Sequence, residues 1–351
     1  MVAVLSLTVV FPISGTTQGT RPAVSLEAIP AILDAFRTHR VVSYPGGHTD
    51  GNEGQAQLRA LIRDPRFAAT VNDIVVEFGT SRYQDLMDRY IRGEEVPDST
   101  VRVAWLDAVQ GGTALDNANT AAFFRNIRDV NAALPPERKL RVLLGDPPMD
   151  WDNVRNKADF RKWVVQRDSY PADLVRREVL ARERRALLVW ANGHLMRQEI
   201  LTNYDMSHWQ AQTIVSLLER SGTPVFTVRA DGDLTKWQSD TASWKPFSLT
   251  LVRGTPIGAA DFSDFESVRE RYRIRGDEDF VPLPREQWVS RRLEEIVDAI
   301  LYVGREPRTT APIAADLCAD PAYLKMRLDR IALIGLPPAE ADRVKRACNV
   351  K

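Results

Sequence analysis

The feature that most constrains this chain is a series of short, continuously apolar runs, each followed by a longer stretch with helical spacing. The runs IVVEF, VLL, LLVW and VFTV do not alternate with polar residues. A strand with one wet face alternates, whereas a strand covered on both faces does not. Five strands are predicted, at 40–45 (RVVSYP), 72–79 (NDIVVEFG), 139–146 (KLRVLLGD), 185–194 (RALLVWANGH) and 223–231 (TPVFTVRAD). Between them, Leu58, Leu61 and Ile62, then Leu86, Met87, Tyr90 and Ile91, recur at helical spacing. The segments 171–184 and 208–222 also read as helices. SLTLVRG (248–254) reads as a further strand, and 289–304 as a helix running into a short apolar strand. Strand and helix in alternation predict an α/β fold: a mainly parallel central sheet with helices on both faces. The expected organisation is one α/β catalytic-type domain over 21–305. It carries a helical insertion at about 82–135, and a helical appendage follows over 306–351.

The 351 residues suffice for a sizeable core. The 47 basic and 47 acidic residues cancel, so charge gives no reason to expect a nucleic-acid partner. No run of 18 apolar residues exists, so no membrane span is expected. Residues 1–20, about a dozen mostly apolar positions and then small polar ones, read either as the remnant of a signal peptide without its basic start or as a first strand. Cys318 and Cys348 are the two cysteines, close together near one end. They read either as a disulfide stapling a helical hairpin in an oxidising compartment or as two free thiols. The disulfide and the N-terminal run support one another, so export to the periplasm or beyond is the expectation, with a cytoplasmic location left open. The sequence carries no signal of oligomeric state.

Open parallel sheets bind ligands beyond the carboxyl ends of their strands. The first strand leads to His48, with Asp50 and Glu53 just after it. The second carries Glu77, followed by Arg82 and Tyr83. The third ends in Asp146, and the fourth in Asn192 and His194. Two of the chain's four histidines therefore stand at one sheet edge, each directly after a glycine. A carboxylate inside an apolar strand is costly unless paired, and Arg82 is the expected partner of Glu77. The loop LTKWQSDTASWKPF adds Trp237 as a residue that can rim a pocket.

Such a set suits general acid–base hydrolysis: a histidine deprotonates water, a carboxylate orients it, and an arginine stabilises an oxyanion. His48, Glu77, Asp146 and His194 would also make a divalent-metal site. No zincin or phosphate-loop motif occurs, nor a G-x-S-x-G elbow, and neither cysteine falls near the cluster, which disfavours classical serine and cysteine hydrolases.

With GGHTDGNE after the first strand, DIVVEFG on the second, ANGHL (191–195) after the fourth and DAILYVG (298–304) later, the chain resembles the superfamily of erythromycin esterases, Tiki/TraB proteins and ChaN-like haem-uptake proteins. NDIVVEFGTSRYQDLMDRYIRGEEVP, RVLLGDPPMDW and ALLVWANGHLMR resemble an uncharacterised, often exported bacterial group within it. The resemblance implies a cleft at the strand ends and a hydrolytic site at His48, Glu77 and His194, with His48 acting on water in the esterase branch. In the Tiki branch paired G-x-x-H motifs imply a metal-dependent peptidase. In the ChaN branch haem is the ligand, and Tyr83 or either histidine is the candidate axial ligand. The chain departs from the superfamily in having Pro45-Gly46 where Gly-Glu is usual and Ala191 where G-x-x-H has glycine. The reading that follows is a metal-independent hydrolase of an ester-like bond in a small-molecule substrate, with no cofactor. His48, Glu77, His194 and Arg82 are its catalytic set, and Asp50, Glu53, Tyr83, Asp146, Asn192 and Trp237 its substrate-binding set. A divalent-metal hydrolase and a haem-binding protein are the alternatives.

Overall fold

The computed structural model describes residues 21–46, 51–110, 112–197, 203–204, 207–208, 212–265, 272–275, 279–282, 291–306, 309 and 311–350. The readings of residues 1–20, and those of His48 and Asp50, lie outside the described residues. The described strands are β1 (Ser25–Glu27), β2 (Val41–Pro45), β3 (Asp73–Thr80), β4 (Arg141–Asp146), β5 (Ala186–Trp190), β6 (Asn203–Tyr204), β7 (Ser207–His208), β8 (Val225–Phe226), β9 (Val228–Asp231), β10 (Ser248–Leu251), β11 (Tyr272–Arg275), β12 (Asp279–Pro282) and β13 (Ala299–Tyr302).

The α/β expectation holds. Strands β4-β3-β5-β2-β8 form a parallel sheet in that order. Side chains alternate across it. Val42, Tyr44, Ile74, Val76, Leu144, Leu187 and Val189 enter one core with helices Gly51–Arg63, Gln84–Arg92 and Ala118–Ala132. Val41, Val75, Leu143, Leu188 and Trp190 enter the other, under helices Ser169–Glu178 and Ile214–Arg220. Both faces are dry, which is why the strands read as unbroken apolar runs.

The chain first travels outward, β2 to β3 to β4, and then returns through β5 to β8. Parallel crossovers keep one hand, so the outward helices and the returning helices must cover opposite faces. The carboxyl ends of β3, β4 and β5 are therefore where the crossovers change face, the place at which open parallel sheets bind ligands.

Residues 223–231 were expected to be one strand and are two. β8 pairs with β2, and β9 pairs in parallel with β13 in a second sheet of order β1-β10-β13-β9. Thr227 is the hand-over point. Its N–H donates to Asp298 Oδ2 (2.8 Å), and its carbonyl accepts from the N–H groups of Asp298 (2.8 Å) and Ala299 (3.2 Å). The next N–H, of Val228, donates to Ser43 Oγ at 2.8 Å, which fastens β9 to β2. Strand β10, the expected strand at 248–254, runs antiparallel in this second sheet. Among the described residues the helix expected before β13 covers Leu293–Ile296, and it ends there because Val297 is extended and the Asp298 carboxylate is turned onto Arg197 and Thr227.

The segment 82–135 is the β3–β4 crossover. Of the C-terminal helices Pro321–Leu333 and Pro338–Ala347, the first is bolted to it. Asp116, fully buried, accepts from Tyr323 Oη (2.5 Å) and Arg327 Nη2 (2.7 Å), while Arg330 donates to Asp107 (2.7 Å) and to the Leu106 carbonyl (3.0 Å). Burial pushes the Asp116 carboxyl upward against the pull of Arg327. Cys318 and Cys348 are joined, with sulfurs at 1.95 Å. Among the described residues no helix is long and apolar enough to cross a membrane. Replacing Asp116 by Ala strands a buried guanidinium, so urea unfolding should show a loss of about 3–5 kcal/mol. A loss within the error of the measurement would mean that helix Pro321–Leu333 is held by something else.

Candidate functional site

Glu77 lies in β3, every residue of which is buried. It falls within an irregular stretch: Val76 pairs with Leu144 but Thr80 pairs with Asp146, so four steps along β3 face two along β4. Two residues beyond Val75, it faces the core under helix Ser169–Glu178. A carboxylate there survives only if its charge is met. Glu77 Oε1 accepts from Arg167 Nη2 at 2.5 Å, and Oε2 from the Ala191 N–H at 2.9 Å. The same guanidinium reaches Asp146, with Nε 3.4 Å from Oδ1, and Asp146 Oδ2 accepts from the Val109 N–H at 3.0 Å. Arg167 thus stands between two buried carboxylates, on the turn that leads into helix Ser169–Glu178. Glycine at 145 is required by packing, since a Cβ there would meet the Trp190 ring at 2.1 Å and the Val76 carbonyl oxygen at 2.8 Å.

His194 closes the group. It ends a turn of 3₁₀ helix (Asn192–His194) just after β5 and is 3% exposed. Its Nδ1 lies 2.9 Å from Asp168 Oδ1, an oxygen that also accepts from the Ile214 N–H at 3.1 Å. With a carboxylate as its partner, Nδ1 is the donor. Nε2 is buried and has no hydrogen-bond partner among the described residues, and Glu77 Oε1 lies 3.8 Å from it.

Burial raises the Asp146 carboxyl to about 6; Glu77 adds to the rise, and Arg167 opposes it. For His194, burial works against the charged form, but Asp168 and then Glu77 outweigh it, and its pKa is raised. The ordered parts are therefore a carboxylate-oriented imidazole, a guanidinium-anchored glutamate and a proton-holding aspartate, which is the equipment of acid–base chemistry.

The other sequence-predicted residues fall elsewhere. Arg82 was expected to pair with Glu77. It instead pairs with Asp150 (3.1 Å) and is half-exposed, because Arg167 already fills that place. Tyr83 Oη donates to Asp107 (2.7 Å), and burial together with that carboxylate pushes its phenol up to about 12. Glu53 is exposed in the first turn of helix Gly51–Arg63. The Asn192 amide is engaged at both ends by Ala230, donating to its carbonyl (2.8 Å) and accepting from its N–H (2.9 Å), which ties β5 to β9. Trp237 stacks on Phe265 with ring centroids 6.1 Å apart.

His48, one of the candidate metal and haem ligands, lies outside the described residues. A guanidinium occupies the space between Glu77 and Asp146, and no group of three His, Cys, Asp or Glu among the described residues is arranged to hold an ion. Arg167 and Asp168 were missed because QRDSYPADL reads as solvated charge before a helix.

No family model matches the sequence, and no curated protein matches it either. Three solved structures are similar. One, described as bacterial protein toxins, is 14% identical over 57% of this chain with a TM-score of 0.35, and the chain spans 35% of its length. ChaN of Campylobacter jejuni, described with cofacial haem binding, is 11% identical over 61% of this chain and 92% of its own, TM-score 0.37. The type III effector HopBA1 is 14% identical over 62% and 89%, TM-score 0.36. Likeness at this level settles neither family nor activity.

The cluster has a signature in the pH dependence of stability. Asp146 holds its proton more tightly folded than unfolded, so folding takes up a proton between 3.8 and about 6. The contribution is full below that window and is lost as pH rises through it. His194, also raised, contributes below its ordinary 6.5 and loses that contribution as pH climbs through its folded value. The unfolding free energy of wild type relative to Asp146→Asn should fall by roughly 2–3 kcal/mol between about pH 4 and 7. A difference that is flat with pH would remove Asp146 as the proton-holding group.

Proposed function

We propose that this chain is a metal-independent hydrolase of an ester-like bond in a small molecule, working at the ends of β3, β4 and β5. The observation that carries the reading is the Asp168–His194 pair, whose Nε2 is left unengaged 3.8 Å from Glu77. A carboxylate on Nδ1 fixes tautomer and ring orientation and leaves Nε2 to exchange a proton with a reacting group. His48, carried on the segment just beyond β2, is the base that takes a proton from water. The water oxygen forms its bond to the acyl carbon, and the bond to the leaving oxygen breaks. His194, charged through Asp168 and Glu77, returns a proton to that oxygen. Glu77, pinned by Arg167 and the Ala191 N–H, faces the imidazolium and steadies it. Arg82, at the half-exposed rim, is the group to meet the oxyanion. The joined cysteines accord with work in an oxidising compartment, and the superfamily resemblance with a water nucleophile rather than an enzyme-bound intermediate.

A panel of aryl and alkyl esters tests this. Wild type should turn over at least one of them, equally with and without a chelator. His48→Ala should abolish turnover with the fold retained by circular dichroism. Asp168→Asn and His194→Gln should each lower kcat by about 10²–10⁴. Turnover that survives His194→Gln and His48→Ala, or that stops with chelator, contradicts the assignment.

A further inference from the structure

A pocket of about 680 Å³ lies at the open edge of the second sheet, where β1 is the outermost described strand. None of the proposed catalytic residues is among its described lining residues. Side chains of a strand point alternately to its two faces. The pocket takes Leu26 from one face of β1 and Ser25 and Glu27 from the other, so it wraps the free edge of the strand. No further strand pairs with that edge among the described residues. Val24 and Leu26, 62% and 38% exposed, give the pocket an apolar wall.

One buried group points to a ligand. Ser248, the first residue of β10, lines the pocket and is 7% exposed, and its Oγ is buried with no hydrogen-bond partner among the described residues. It stands directly opposite Glu27 across the β1–β10 pair, so the two side chains leave the same face of the sheet. A buried hydroxyl left unmet costs stability, and a polar group brought by a ligand removes that cost. The turn before Ser248 is held against preference. Phe247, also on the pocket, has a φ of 61°, a region that bulky residues rarely adopt. Its N–H donates to the Tyr302 carbonyl (2.6 Å) and the Ser248 N–H to that of Lys245 (3.1 Å), which fixes the turn and sets Lys245 on the pocket. Lys245 and Glu27 bring opposite charges, and neither forms an ion pair among the described residues.

We propose that this pocket binds a short extended peptide with free termini, which adds as a strand beside β1. Backbone hydrogen bonds to the free edge align it, and Val24 and Leu26 receive its apolar side chains. Lys245 meets its terminal carboxylate and Glu27 its terminal ammonium, so the two unpaired charges of the pocket match the two ends of the ligand. Ser248 Oγ hydrogen-bonds one of its polar groups. The site stands independently of the hydrolase reading.

Isothermal titration calorimetry of the full chain with the tripeptide Ala-Leu-Ala, whose length matches the three residues of β1, tests it. Saturable binding is expected. N-acetylation or C-amidation of the tripeptide should each weaken it by about three- to fivefold, the worth of one exposed ion pair. Ser248→Ala removes an unmet hydroxyl, so it should fold as wild type and bind about fivefold more weakly. Lys245→Gln should weaken binding of the free tripeptide and leave that of the C-amide unchanged, a difference that a merely structural lysine would not produce. Lys325→Gln, an exposed control on a C-terminal helix, should alter neither. No saturation by the free tripeptide, equal binding of its capped forms, or equal binding in wild type, Ser248→Ala and Lys245→Gln overturns the proposal. If Ser248→Ala fails to fold, the Lys245→Gln comparison decides it.

Discussion

The edge of the parallel sheet depends on one buried cation. The Arg167 guanidinium lies between Glu77 on β3 and Asp146 on β4, and all three groups are almost wholly removed from water. Two carboxylates at a strand end repel one another and, once dehydrated, are driven to neutralise. The guanidinium between them opposes that, and the Asp146 carboxyl rises only to about 6. Such a network is poor evidence of stability for its own sake, because desolvating the charges costs about as much as pairing them returns. Its position, where three strands deliver polar groups to one sheet edge, is what the hydrolase proposal rests on.

The topology explains why the groups meet. Because the chain turns back after β4, β5 inserts between β3 and β2, and the turn after β5 brings the Ala191 N–H onto Glu77 and His194 beside it. The returning crossover from β4 to β5 carries Arg167 and Asp168 over the end of the sheet just before its helix descends the second face. Asn192 and Thr227 then fix the second sheet to the first, so the turn bearing His194 is held on both sides. Gly145 allows Trp190 to pack flush under the cluster.

The parts legible in the sequence are those fixed by local physics. Continuous apolar runs announced the parallel strands, since dry faces on both sides demand them. Glu77 stood out because an acid within IVVEFG has to be met by something, and His194 because its strand ends at Asn192-Gly193. What met Glu77 was not legible. Arg82 was near in sequence, whereas Arg167 arrives from ninety residues away, and its neighbour Asp168 looks like an ordinary helix-start acid. The break at Thr227 was also hidden, because VFTVRAD satisfies strand preferences throughout and only Asp298 decides where it changes partner. The helix before β13 ends at Ile296 for the same reason: Asp298 is needed by Thr227 and Arg197, and a tertiary contact overrides helical spacing.

The central claim is that His194 is an imidazole oriented and charged by Asp168, with Nε2 turned toward Glu77. Side-chain nitrogen NMR of the full chain, followed through pH, reads this directly. The account predicts that His194 titrates above its ordinary value of 6.5, with a hydrogen-bonded Nδ1 proton, and that Asp168→Asn lowers this titration while the fold persists. A His194 that is neutral well below that pH, or one whose titration is unchanged in Asp168→Asn, would contradict it.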